Sequence, residues 1–155
     1  MRRLALAAAL LALAAAGPAL AASKSKVRKV VEAAGLMGWA AQDCSRGPSG
    51  DNVWERFFVD EDGYVVVSDM EGADGIPSYV VDARKLRNGD VWVRLEIDLG
   101  EPDVSQTYRL DGPRRRVWTL HNAEKTLLIQ DGVWVGPETG QSVWLTRCPG
   151  APPES

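Results

Sequence analysis

Ten consecutive residues constrain this chain more than any other stretch: Val91, Val93, Leu95, Ile97 and Leu99 alternate with Asp90, Trp92, Arg94, Glu96 and Asp98. Successive side chains of an extended backbone point to opposite sides, so period two predicts a strand with one face buried and the other largely wet. Segments of similar grammar surround it: Trp54 to Val59, Tyr64 to Asp69, Ser78 to Leu86, Ser105 to Leu110, Val117 to His121, Lys125 to Ile129 and Ser142 to Cys148. Between them stand Asp62-Gly63, Asn88-Gly89, Asp111-Gly112 and Asp131-Gly132, dipeptides that take the positive φ angles of tight hairpins. About eight short strands in direct succession, with no crossover helices between them, predict an antiparallel up-and-down meander. Closing it into a small barrel, with one short N-terminal helix, removes the exposed edges that invite aggregation.

The helix is expected over Ser23 to Ala34, where Val27, Val30, Val31 and Ala34 fall at i, i+3, i+4 and i+7 before Gly35. Lys24, Lys26, Arg28 and Lys29 crowd its first turn, where the helix dipole disfavours cations, so it must fray or dock. Upstream, Arg2-Arg3, the 13-residue apolar run Leu4 to Ala16 and the small residues up to Ala22 have the three regions of a secretory signal peptide. That run is too short to span a bilayer, which takes about 20 residues. The domain plan is therefore a leader over 1–22, cleaved after Ala21 or Ala22, a single barrel domain over 23–148, and a disordered tail over 149–155. The expected location is periplasmic or secreted, without stable membrane insertion once the leader is gone.

Export sets the redox environment. Cys44 and Cys148 are the only cysteines, and an even pair in an oxidising compartment forms one disulfide in the simplest case. Cys44 precedes the first clear strand and Cys148 ends the last, two points that become neighbours when a barrel shuts. Without the leader's two arginines, 16 basic residues remain against 21 acidic ones, a net charge of −5. An acidic chain is poorly suited to nucleic acid, whose sequence-independent binding draws on clustered Lys and Arg. No nucleic-acid partner is expected, and the chain should be a monomer.

Few residues carry a chemical signature. Trp39, Trp54, Trp92, Trp118, Trp134 and Trp144 are suited to core and outer-face packing as much as to a ligand platform. Trp92 shares its face with charged neighbours, so either the N-terminal helix covers it or it belongs to a contact surface. Trp92, Arg94 and Trp118 are accordingly the candidate binding surface. His121 is the only histidine and reads as a strand-end residue. No nucleophile elbow, histidine-rich metal set or phosphate-cradling glycine loop occurs, so no catalytic residue, metal or cofactor is expected. The acidic group Asp60, Glu61, Asp62, Asp69, Glu71 and Asp74 lacks the spacing of a calcium loop and reads as solvated turn. Arg114-Arg115-Arg116 reads as an exposed hairpin edge guarded by charge.

The segment Gly38-Trp39-Ala40-Ala41-Gln42-Asp43-Cys44-Ser45, together with Trp144-Leu145-Thr146-Arg147-Cys148, resembles the ends of a group of small, exported, uncharacterised bacterial proteins. More distantly the chain is similar to the lipocalin-like barrels, which begin with a helix and a Gly-x-Trp strand and close with a basic residue near that Trp. That likeness implies a barrel and a contact between Trp39 and Arg147. By analogy, the expected role is non-enzymatic binding of a small apolar or amphipathic ligand in the barrel mouth. The alternative is a protein-interaction or inhibitor module of the cell envelope.

Overall fold

A computed structural model of the chain describes residues 23–70, 76–97, 104–136 and 139–153. The leader over 1–22 and the last two tail residues lie outside them, as do Glu71, Asp74, Asp98 and Leu99. Residues 23–33 form helix α1. The strands are β1 (Gly38–Ala41), β2 (Trp54–Val59), β3 (Val65–Met70), β4 (Ile76–Lys85), β5 (Val91–Glu96), β6 (Val104–Asp111), β7 (Arg114–His121), β8 (Leu127–Gln130), β9 (Val133–Trp134) and β10 (Leu145–Arg147). The mainly β barrel with one helix is the expected fold.

Its closure differs from the expected meander in one respect. Strands β1 to β7 follow one another antiparallel, and then β10 pairs with both β7 and β1, giving an eight-stranded barrel. The excursion β8–β9 hangs from the far end of β7 through Leu120↔Ile129 and His121↔Leu127 and does not enter the wall. Lys125 to Ile129 is thus a flap strand. The first wall strand is Gly38–Ala41, which sequence patterning passed over because Gly and Ala are weak strand formers. It is held instead by pairing on both sides, to β2 and to β10. Cys44 therefore follows the first strand and does not precede it.

All four expected turn dipeptides are realised. Gly63, Gly89, Gly112 and Gly132 have φ of 82°, 90°, 57° and 77°, and Asp131 joins Gly132 at 53° in the flap hairpin. The alternation in β5 is also as expected: Val91, Val93 and Leu95 are buried, while Trp92, Arg94 and Glu96 are half-exposed. Asp90 departs from it. It lies on the outer side yet is only 5% exposed, because the Arg109 guanidinium covers it with donors at 3.2 and 2.9 Å.

Helix α1 is docked. Its stripe Val27 and Val31, with Leu36 just beyond, joins Phe57, Val65, Val80, Val93 and Tyr108 in the main core. Gly35 at φ 70° ends it: Leu36 N–H donates to the Val31 carbonyl at 3.1 Å and Gly35 N–H to Glu32 at 2.9 Å, the paired bonds of a Schellman cap. The cation-rich first turn is compensated in part, since Lys24 donates to the Asp62 carbonyl at 3.0 Å and sits 3.5 Å from the centroid of the Tyr64 ring. Helix α1 thereby fills the barrel end that carries the 60–63, 86–89 and 111–113 turns.

A second cluster lies outside the wall, under the 42–53 loop. Trp54 is fully buried there against Ala41, Trp39 and the Cys44–Cys148 disulfide, whose Cα atoms are 5.6 Å apart. Asn52 ties the loop down, donating to the Asp43, Arg46 and Gly47 carbonyls at 3.1, 3.0 and 3.0 Å and accepting from Asp43 N–H at 2.9 Å. Trp39 and Arg147 do not meet in this arrangement. Arg147 pairs with Ala40, one place along β1, and a one-residue step puts a side chain on the opposite face of a strand. The cation over Trp39 is Arg56, 5.0 Å from the ring centroid.

Candidate functional site

The barrel interior is packed at the α1 end and hollow at the other. A cavity of about 320 Å3 lies among β2, β3, β6, β7 and the flap, lined by Val53, Val117, Leu120, Ile129, Trp134 and Leu145 on its apolar walls. Arg116, Gln141 and Ser142 add polar lining on the side of β7 and the flap, and the main polar wall is made by Glu55, Asp69, Gln106 and Tyr108. Each of these reaches the interior through strand parity. Glu55 is in phase with Phe57 and directly opposite Asp69, which is in phase with Val65 and Val67. Gln106 is two residues from Tyr108 and opposite Val93.

These groups form one network. Tyr108 donates its hydroxyl to Glu55 Oε2 at 2.5 Å, and Gln106 Nε2 donates to the Tyr108 oxygen at 2.5 Å. The second Glu55 oxygen, Oε1, lies 2.5 Å from Arg115 Nε without hydrogen-bond alignment. Arg115 is held from behind, where Nη1 donates to the Leu36 carbonyl at 2.6 Å and Nη2 to the Glu55 carbonyl at 3.4 Å. Glu55 and Arg115 are 2% and 4% exposed. A buried charge is tolerable only when paired, and here each ion compensates the other. Burial pushes the Tyr108 phenol well above its ordinary value of 10.0, helped by the negative charge of Glu55 and Asp69 and opposed by Arg115. The phenol is therefore a fixed neutral donor to Glu55 across the physiological range.

The arginine run is not an exposed charged edge. Arg114 alone is solvent-exposed; Arg115 points into the barrel, and Arg116, 8% exposed, spans to the flap. Arg116 Nη2 donates to the Gly132 carbonyl at 3.0 Å, and a Cβ at this glycine, whose φ is 77°, would lie 1.6 Å from that nitrogen, so a larger residue would strain the backbone and push the guanidinium aside. The flap that roofs the cavity is thus clamped to β7. Ser142 adds a second clamp, its hydroxyl donating to the Val117 carbonyl.

The candidate surface residues Trp92, Arg94 and Trp118 all lie on the outer wall, and each has its own neighbours. Trp92 is stacked by Arg84, whose Cζ is 4.3 Å from the ring centroid. Arg94 lines a separate groove beside the start of α1, with Lys24, Tyr64 and Glu96. Trp118 occupies the bulge of β7, with Arg109 at 3.6 Å and Arg116 at 5.1 Å on its ring, and Arg116 also lies 5.2 Å from the Trp144 centroid. The three do not assemble into one site. His121 ends β7.

Of the lining residues, Asp69 reads from sequence as solvated turn, Arg116 as part of a charged edge and Trp134 as one of six tryptophans, while Glu55, Gln106 and Tyr108 are passed over, although Glu55, Asp69 and Gln106 are polar residues in step with an apolar stripe. Among the described residues no group of acidic, histidine or cysteine side chains is arranged to hold a metal, and no helix is long and apolar enough to cross a membrane. Comparisons with protein-family models, with curated proteins and with solved structures gave no match.

Proposed function

We propose that this barrel is an exported carrier or receptor for one small amphipathic molecule, bound in the hollow half of its interior. The observation that carries the reading is the 320 Å3 cavity itself, apolar along its walls and polar at one side. Ligand sites typically start at about 300 Å3 and combine apolar lining with a few convergent polar groups. The volume is equivalent to on the order of ten water-sized groups, enough for a compact ring or short chain with one polar end. The Cys44–Cys148 disulfide supports action in an oxidising compartment such as a periplasm or the extracellular space.

The geometry also favours a binder over a surface that merely adheres. Trp92 and Trp118, the side chains best suited to an outer contact, are occupied by arginines of the same chain. Native mass spectrometry of protein purified from its own compartment is expected to show a co-purified small molecule. In Leu120→Trp, which fills the cavity from β7, that mass should disappear while the far-ultraviolet spectrum is kept. A bare mass in the unmodified protein would refute the proposal.

A further inference from the structure

Five of the six tryptophans are committed within the fold. Trp39 meets Trp54 edge-on with 6.0 Å between centroids, and Trp54 donates its indole hydrogen to the Arg46 carbonyl at 2.9 Å. Trp92 carries Arg84, while Trp118 and Trp144 share Arg116 and carry Arg109 and Arg114 respectively. Trp134 differs from all of these. Among the described residues its ring has no aromatic or cationic partner and its indole nitrogen no acceptor, and it is the one tryptophan in the lining of the cavity. Strand pairing puts it there: Leu120 stands opposite Ile129, and Ile129 opposite Trp134, so the three form one row across β7, β8 and β9, and all three line the cavity. The backbone beneath the ring is fixed, since Trp134 N–H donates to the Gly140 carbonyl at 3.0 Å and Val135 N–H to the Leu128 carbonyl at 2.9 Å.

From this we infer that the apolar body of the ligand is a flat aromatic ring, packed against the Trp134 indole with Leu120 and Ile129 beside it. The inference rests on the ligand-binding reading above and adds the chemistry of the ligand's apolar part to it. The remaining apolar walls, Val53, Val117, Val143 and Leu145, are aliphatic. Such walls reward any apolar body in proportion to the area it buries, so they do not discriminate. The indole does. Its face and edge carry opposite partial charge, so an offset or edge-to-face contact with a second ring adds attraction beyond area burial, whereas a saturated chain or ring gains the area alone. A tryptophan also loses little freedom on binding, because it has two side-chain torsions and here stands on a hydrogen-bonded strand.

Two probes with the same polar end isolate the ring: 2-phenylethanol and 2-cyclohexylethanol. Titrated calorimetrically into the purified, disulfide-bonded protein and into Trp134→Leu, they form a cycle in which their different hydration cancels. The ratio of phenyl to cyclohexyl affinity is expected to be about two- to ten-fold higher in the unmodified protein than in Trp134→Leu, and to be largely kept in Trp134→Phe. An equal ratio in the unmodified protein and Trp134→Leu would overturn the inference while leaving the cavity as a binding site. A second measurement does not depend on the leucine variant. In a nitrogen-edited proton spectrum of the unmodified protein, the indole N–H signal that is lost in Trp134→Phe should move with 2-phenylethanol, through its ring current, and much less with 2-cyclohexylethanol. Equal shifts from the two probes would again overturn the inference. If neither probe binds, the co-purified molecule decides: aromatic ultraviolet absorption in the extract upholds the ring, a saturated molecule overturns it, and the absence of any co-purified mass removes both this inference and the reading beneath it.

Discussion

Tyr108 shows how much a single interior residue is asked to do in this barrel. Its ring meets Phe57 edge-on at 5.6 Å between centroids, as part of the packed core, while its hydroxyl belongs to the polar floor of the cavity. Because the folded state raises the phenol's pKa, folding favours the protonated form. That contribution is fully present below pH 10.0, the ordinary value for the group, and is lost as pH climbs from there through the higher folded value. Urea midpoints measured from pH 8 to pH 11 should therefore fall in the alkaline range. In Tyr108→Phe this component of the fall should be absent, although the variant starts from lower stability because Glu55 loses a donor. Equal slopes for the two proteins would place the alkaline loss elsewhere.

Helix α1 and the flap divide the interior between them, and they do so by different physics. The helix closes its end by burying apolar surface, with Val31 and Leu36 fully inaccessible. Leu36→Ala should cost about 2–5 kcal/mol in the free energy of unfolding, read from denaturant titration, because the strands around it cannot collapse onto the void. Its effect on small-molecule binding should be slight, since the cavity lies at the other end of the barrel. The flap is held by the Arg116 and Ser142 bonds and is apolar on both sides, with Val133, Val135 and Val143 exposed. The helix stripe, the hairpin turns and the two-faced β5 could be read from sequence because local spacing alone produces them. Strand β1 could not, since Gly38, Trp39, Ala40 and Ala41 have no strand pattern of their own and depend on partners far along the chain. Nor could the Glu55–Arg115 pair, 60 residues apart: an arginine within a run of three looks solvated until the opposite wall is known to hold a carboxylate.

At the scale of the whole molecule, one covalent bond spans almost everything described. The disulfide closes 104 positions of chain. Restricting the unfolded ensemble over a loop of that size is worth about 4.7 kcal/mol in the chain-entropy account. A Cys44→Ser, Cys148→Ser double variant is expected to lose stability of this order, seen as a lower denaturation midpoint than the oxidised protein, and dithiothreitol should reproduce the shift. A variant with an unchanged midpoint would mean that the β1–β10 and β7–β10 pairings hold the seam unaided. Those pairings carry another consequence. Since β10 joins its neighbours only after the flap has been traversed, Ala40 must wait for Arg147, 107 positions later, before the wall is complete. A polypeptide threaded through a translocon from its amino end would remain an unclosed sheet until nearly the last of these residues had emerged, and would be open to proteases and chaperones for the whole of its passage.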